Sequence, residues 1–249
     1  MLVLLIVNLF NNRIIFIDKA TPATLVEFKD AVSSSILSIE PSWSIEFRTY
    51  RSQIKKRITA TNTEEENRHK VLYSISFLQQ QRSVLLKNGI GIVTTTKIDD
   101  NSRKLIDSSS SVWYPDSMDT IISNKLSNMW VQRQLVKGDA GESFITRDGL
   151  LIKCCNLFSS FGFKGLIIEL REQDKDDDEN NNNTNNNSCH GENFNICVKS
   201  IIDLLESIGI TNYKTSNEVL RRDETTTSQP ENENTHLCDL AYQYVTVLD

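Results

Sequence analysis

The sequence lacks the residue spacings on which metal sites and many active sites depend. Its five cysteines include no C-x₂-C pair, whereas zinc sites need about four ligands at short fixed spacings. The run Gly89-Ile90-Gly91 has no third glycine, so it does not match a phosphate-binding loop. The three histidines, His69, His190 and His236, lie in or beside polar stretches, where a catalytic triad would not be held in place. We therefore expect no metal, no cofactor and no catalytic residues.

Long apolar runs and an excess of basic charge are also missing. The apolar stretch Met1–Phe10 is far shorter than the roughly 20 residues that span a bilayer, and it lacks the basic start of a signal peptide. We expect Met1–Asn12 to be an apolar N-terminal extension, and we expect no membrane contact. The net charge of −6 argues against a nucleic-acid-binding domain, so no sequence-specific binding to nucleic acid is expected. The odd number of cysteines, without framework spacing, predicts reduced thiols.

What the sequence does contain is a series of short strands separated by turn residues. Asn88-Gly89 can supply the positive φ angles of a two-residue hairpin turn, and Asp148-Gly149 marks a second turn. The predicted strands are Arg13–Asp18, Trp43–Arg48, Val71–Phe77, Val84–Lys87, Ile90–Thr94, Glu142–Thr146, Leu150–Phe158 and Leu166–Leu170. Successive hairpins favour a meander or a barrel over β-α-β units. The predicted fold class is α+β: an antiparallel β-barrel-like sheet flanked by helices, in a single domain over residues 13–249.

Helical stripes flank these strands. Apolar residues at spacings of three and four predict helices between Leu25 and Ile36, between Phe194 and Ile208 with a stop at Gly209, and between Leu237 and Leu248. For the last of these, packing on the core and a role at a partner surface both remain open. A further helical pattern from Met118 to Met129 leads into alternating residues from Trp130 and then into a predicted turn at Gly138-Asp139-Ala140-Gly141.

Polar segments interrupt the pattern. Low-complexity runs of Asp, Glu and Asn at about 172–193, and polar residues at about 223–235, predict disordered loops that bury nothing. A basic cluster of Arg48, Arg51 and Lys55–Arg57 is either a solvated strand end or a surface for an acidic protein.

Several segments together resemble one family. The stretch Ser123–Glu142 resembles the signature region of Mediator complex subunit 20, the TATA-binding-protein-related subunit of the Mediator head module. Further segments resemble that family in the same order along the chain: Ala20–Leu25, Trp43–Arg51, Asn156–Ser160 with Gly162–Leu166, Tyr213–Ser216 and Cys238–Val245. Ordered matches of this kind are more specific than any single motif.

The resemblance implies a fold, a function and partners. Members of the family adopt a β-barrel flanked by helices and act as non-catalytic subunits in the nucleus. They pair with Mediator subunit 18, a related barrel, and are tethered through Mediator subunit 8. Mediator is a coactivator that bridges regulators to RNA polymerase II, and the family name also implies contact with the TATA-binding protein.

Aromatic and arginine residues in loops are the candidate partner contacts, because interface centres are enriched in them. Phe158, Phe161 and Phe163 surround the Gly162 turn, Trp130 lies near Arg133, and Tyr244 lies on the last helix. The alternative is a tunnel-type barrel enzyme acting on nucleotide or RNA triphosphates, which needs paired carboxylates on strands. Glu46 and Glu169 each stand alone on their predicted strands, which disfavours that alternative.

Overall fold

The computed structural model describes residues 11–54, 70–97, 116–173, 192–220 and 233–249. The predicted extension before residue 11, most of the Asp/Asn-rich segment and most of the second polar loop therefore lie outside the described residues. The strands are β1 (Asn12–Ile17), β2 (Ile36–Ser52), β3 (Val71–Phe77), β4 (Arg82–Lys87), β5 (Ile90–Thr95), β6 (Trp130–Thr146), β7 (Leu150–Ser159), β8 (Gly162–Glu172) and β9 (Lys214–Ser216). The helices are α1 (Thr24–Val32), α2 (Met118–Thr120, continued by a π-helical turn over Ile121–Lys125), α3 (Glu192–Ser207) and α4 (Glu233–Leu248).

The described strands form one curled antiparallel sheet. Its strand order is β5-β4-β3-β2-β6-β7-β8-β1-β9, and each neighbouring pair is antiparallel. No described strand joins β5 to β9, so the sheet is a half-barrel with two edges. This architecture confirms the predicted α+β class with a barrel-like sheet.

Helix α4 fills the inside of the curl. It contacts β1 and β9 at one edge of the sheet and β3, β4 and β5 at the other. Its apolar stripe is buried against the inner face in one large cluster, whose helical members are Leu237, Leu240, Ala241, Tyr244, Val245, Val247 and Leu248. We call the face of the sheet that α4 covers the inner face, and the opposite face of the sheet the outer face.

The outer face is covered in two places. Phe28 of α1 and Phe194, Val198 and Leu205 of α3 pack on β1, β6, β7 and β8 in a second apolar cluster. Near the other end of the sheet, Ile122 beside α2 packs with Tyr50 and Leu72 in a smaller cluster. None of the helices in the described ranges is long and apolar enough to cross a membrane.

The two predicted tight turns are confirmed. Lys87 and Ile90 pair across Asn88-Gly89, whose φ angles of 54° and 74° are the positive values that this hairpin requires. Gly149, with φ of 79°, lies in the turn between β6 and β7. The predicted helix stop at Gly209 also appears just after α3, with φ of 85°.

The prediction of a turn at Gly138–Gly141 is wrong, because β6 runs straight through these residues. The register shifts between Lys137 and Glu142 against β7 and near Trp43 against β2, so the segment is a bulge, with Ala140 at φ of 54°. The glycines are needed for close packing. A Cβ on Gly141 would lie 2.6 Å from Nε1 of Trp43, and one on Gly138 would lie 2.6 Å from Sγ of Cys155. The sequence shows that these positions are glycines, but it does not show which neighbouring residues leave no room for a side chain.

The prediction of reduced thiols is wrong at Cys197 on α3, which is disulfide-bonded. Cys154 and Cys155 are buried thiols on opposite faces of β7. Burial raises the pKa of each to about 12, so both are neutral at physiological pH.

Candidate protein interface

The tip of the β7–β8 hairpin, Phe158–Phe163, presents aromatic side chains to solvent. Ser159 pairs with Gly162 across a two-residue turn, and Gly162 adopts φ of 104°. Phe161 stands in this turn with 99% of its side chain exposed. Phe158, 46% exposed, packs edge-on against the half-buried Phe163 with ring centroids 5.6 Å apart. The hairpin tip is thus an ordered aromatic projection rather than part of the core.

Beside the hairpin tip, one side of β6 has no partner strand among the described residues. Pairing of β6 with β7 stops at Val136 and Ser159, while β6 stays paired with β2 back to Trp130. Arg133 is exposed in this segment, at a register shift against Thr49 and Tyr50. Trp130 is half-buried, and Nζ of Lys87 lies 4.8 Å from its ring centre. At about 3.3 Å per residue, Trp130 lies roughly 23 Å along the strand from the hairpin tip, so the hairpin phenylalanines and Trp130 form two separate surfaces.

Tyr244 lies elsewhere. It was predicted as a partner contact, but its side chain is completely buried between α4 and the inner face. Its hydroxyl donates a 2.6 Å hydrogen bond to Oε2 of Glu169, which is itself only 1% exposed. The sequence left two roles open for the last helix, and Tyr244 takes part in packing on the core. Its hydroxyl is the donor that the buried carboxylate of Glu169 needs.

Glu169 is held in its charged form inside the protein. Burial by itself would raise its pKa, but the charge of Lys153, the hydroxyl of Tyr244 and the charge of Arg171 outweigh that effect and lower it. Nζ of Lys153 lies 3.3 Å from Oε1, which is an ion-pair distance without hydrogen-bond geometry. Burial, and then the charge of Glu169, raise the pKa of Tyr244 well above its ordinary value.

A second charged network lies on the outer face, and the sequence patterns did not predict it. Nη1 of Arg48 lies 2.7 Å from Oδ2 of Asp119, and the other end of the Arg48 guanidinium pairs with Glu46. The hydroxyl of Tyr50 donates to Oδ1 of Asp119 at 2.8 Å. Burial, with Asp119 next, raises the pKa of Tyr50. This network attaches α2 to the sheet.

Arg48 therefore does not belong to a solvated basic cluster. Its guanidinium is turned into the network beneath α2, while Arg51 is exposed and residues 55–57 lie outside the described residues. The sequence pattern could not show this, because Asp119 is 71 positions away from Arg48.

The two strand glutamates lie on opposite faces. Glu46 alternates with Ile45 and Phe47, which face inward, so it points outward, where Nζ of Lys137 lies 2.7 Å from Oε1. Glu169 points inward to Tyr244. They therefore cannot form the paired carboxylates of a tunnel active site. In the part of the chain that the structure describes, no three His, Cys, Asp or Glu residues cluster as metal ligands would.

A family model described as the TATA-binding related factor of subunit 20 of the Mediator complex matches residues 11–249. The chain belongs to the Mediator subunit 20 family. This confirms the resemblance seen in the sequence, and it makes the chain a Mediator subunit in transcription regulation.

Individual relatives of the Mediator subunit 20 family match over nearly their whole length. The protein named Mediator of RNA polymerase II transcription subunit 20 in Saccharomyces cerevisiae is 43% identical, covering 96% of this chain and 98% of that protein. The protein of the same name in Eremothecium gossypii is 38% identical over 95% and 98%, and that in Kluyveromyces lactis is 30% identical over 94% and 97%.

A solved structure of another protein shows partial similarity to this member of the Mediator subunit 20 family. It is a putative adenylyl cyclase, HpAC1 from Hippeastrum, described as having a dominant triphosphatase activity. It is 12% identical with a TM-score of 0.37, over 84% of this chain and 91% of that one. A similarity this weak does not indicate a shared function.

Proposed function

We propose that this chain is a non-catalytic structural subunit of the Mediator head module in the nucleus, bridging regulators to RNA polymerase II through protein contacts. The observation that carries the proposal is the family match from residue 11 to residue 249, which spans the whole described fold. The filled interior supports a structural role, because Tyr244 and its neighbours on α4 occupy the space where a tunnel would lie.

The proposed partners are Mediator subunit 18, as a heterodimer, and Mediator subunit 8, with the rest of the head module and RNA polymerase II. The TATA-binding protein is a further proposed contact. We propose that residues 13–249 form one domain and that the Asp/Asn-rich segment is a loop that takes no part in these contacts.

The proposed contact residues are those on the two surfaces described above. The hairpin tip offers Phe158, Phe161 and Phe163, and β6 offers Trp130 and Arg133. Phe161 is the strongest candidate, since it is 99% exposed at an ordered turn and interface centres are enriched in aromatic residues.

Phe161→Ala tests the proposed contact. An interface hot spot would lose about 2 kcal/mol, roughly a 30-fold weaker dissociation constant for subunit 18. The unfolding temperature of the isolated chain should not change, because Phe161 is 99% exposed. Ile39→Ala is the matched control, since Ile39 is 84% exposed on β2, away from the hairpin.

Affinity should be measured by titration of purified subunit 18, and stability by thermal unfolding. If Phe161→Ala and Ile39→Ala bind subunit 18 with equal affinity, the hairpin tip is not part of the interface. Separately, a tagged wild-type chain should recover Mediator head subunits from nuclear extract, and failure to recover them would contradict the proposed function itself.

A further inference from the structure

The two edges of the sheet are built differently. Natural edge strands are kept from pairing by short length, charge, proline or bulges. The strand β9 follows this rule, with three residues that include Lys214. The strand β5 does not: its six residues, IGIVTT, contain no charge and no proline, and pair with β4 without a register shift. Within the described ranges, no strand lies beyond it.

The backbone of β5 presents a regular row of donors and acceptors at this edge. Residues that flank a two-residue turn form a hydrogen-bonded pair, so Ile90 directs its N–H and C=O groups toward Lys87 of β4. Groups alternate along a strand, and those of Gly91, Val93 and Thr95 therefore point away from β4. The N–H of Thr96, which donates to the carbonyl of Gln81 at 3.0 Å, continues the same alternation.

Apolar side chains lie beside this row on the outer face. Ile90 is 66% exposed and Ile92 is 58% exposed, although both are large and branched. Leu85 lies directly across from Ile92 and packs in the same small cluster as Trp130. The apolar surface thus runs from the edge strand across β4 to Trp130, one of the proposed contact residues.

We propose that the edge of β5 that faces away from β4, together with Ile90 and Ile92, binds an extended segment of another Mediator subunit. This segment adds a tenth strand to the sheet. The segment carries branched apolar side chains at alternate positions, to pack beside Ile90 and Ile92. A strand fits better than a helix, because a helix satisfies its own backbone groups and would leave those of Gly91, Val93 and Thr95 without partners. The inference rests on the proposed function. It adds which surface of this chain binds the partner and that the bound segment is extended.

Charge at one end of β5 specifies the partner further. Exposed Lys97 follows the strand at the end away from the turn, whereas Lys87 at the turn has its Nζ over the ring of Trp130. The middle of β5 is uncharged. The complementary segment is therefore apolar in its centre with an acidic residue at the end beside Lys97, since opposite charges beside a strand are favourable and like charges are not.

The test is recovery of Mediator subunits from nuclear extract by the tagged full chain and its variants. The double variant Ile90→Lys with Ile92→Lys should reduce recovery of at least one Mediator subunit about tenfold or more, which is the weakening expected when charge enters an apolar contact. Ile196→Lys is the matched control, because Ile196 on α3 is 64% exposed and lies far from β5 in the fold. It should recover the same subunits as the wild type.

A second variant keeps the test independent of folding effects of the lysines. Thr95→Pro removes one N–H that points away from β4 at an exposed edge position, where proline is tolerated. It also removes the hydroxyl that donates to the carbonyl of Gln81 at 3.1 Å, so Thr95→Val, which removes the hydroxyl and keeps the N–H, is its control. Thr95→Pro should recover less of the same subunit than Thr95→Val, and the double lysine variant should unfold at the wild-type temperature. A photocrosslinking amino acid placed at Thr95 should label an apolar segment with an acidic end in that subunit.

The outcomes separate the two proposals. A wild-type chain that recovers no Mediator subunit contradicts the proposed function. Recovery by the wild type that is unchanged in the double variant and in Thr95→Pro overturns only the β5 inference. An isolated wild-type chain that is a dimer, and that becomes a monomer in the double variant, would replace the partner subunit with a second copy of this chain.

Discussion

Replacing Tyr244 with phenylalanine isolates the contact that joins α4 to the sheet interior. The change deletes a single hydroxyl, which donates 2.6 Å to a carboxylate oxygen of buried Glu169. The ring and its edge-on contact with Phe77 at 6.1 Å remain. Hydrogen bonds to charged groups contribute about 1.5–3 kcal/mol. Lys153 still faces Glu169 in the variant, so we expect a loss of about 2 kcal/mol.

Urea unfolding followed by circular dichroism measures this loss directly. In a protein of this size, about 2 kcal/mol also corresponds to a decrease of roughly 4–8 °C in unfolding temperature. Tyr242→Phe is the matched control, since Tyr242 lies two positions earlier on α4 and is half-buried. It should change stability by less than about 0.5 kcal/mol. If Tyr244→Phe costs no more than Tyr242→Phe, the hydroxyl does not stabilise Glu169, and apolar packing alone holds α4 inside the sheet.

Two further predictions concern the interior and the bulge. Because the pKa of Glu169 lies below its ordinary value of 4.5, its charge stabilises the fold above that pH, and unfolding free energy should fall as the pH is lowered from about 5 toward 3. Glu169→Gln should show a shallower fall in urea midpoints over that range, and an equal slope would argue against this contribution. Gly141→Ala would place a Cβ 2.6 Å from Nε1 of Trp43, so overpacking should cost about 1–3 kcal/mol. The cost should shrink in a Trp43→Phe background, measured by urea unfolding as a double-mutant cycle, and an undiminished cost would show that Trp43 is not the obstacle.

Short-range features of this fold were predictable from the sequence. Asn88-Gly89 and Asp148-Gly149 form turns where expected, and Gly209 follows α3, because each depends on residues within a few positions. The apolar stripe of α4 was likewise visible at spacings of three and four. The family was also recognisable, since its matching segments occur in order along the chain, and the family match from residue 11 to residue 249 confirms it.

The candidate interface was only partly predictable. An aromatic turn at Phe161 could be recognised from neighbouring residues, but the exposure of Phe161 and the burial of Tyr244 could not. The apolar edge at Ile90 and Ile92 was not recognised, because the sequence predicts a hairpin without showing which of its strands ends the sheet.

Sequence alone determined the local elements, the family and the absence of familiar catalytic spacings, since each depends on residues near one another in the chain. Tertiary structure decided which face each alternating residue takes. Glu46 and Arg48 turn outward to Asp119, Glu169 turns inward to Tyr244, and Gly138–Gly141 becomes a bulge rather than a turn. For the alternating residues, the sequence pattern has a period of two but does not say which face is buried, and only long-range packing selects that face. For the bulge, the neighbours that exclude a side chain, Trp43 and Cys155, are likewise distant in the chain.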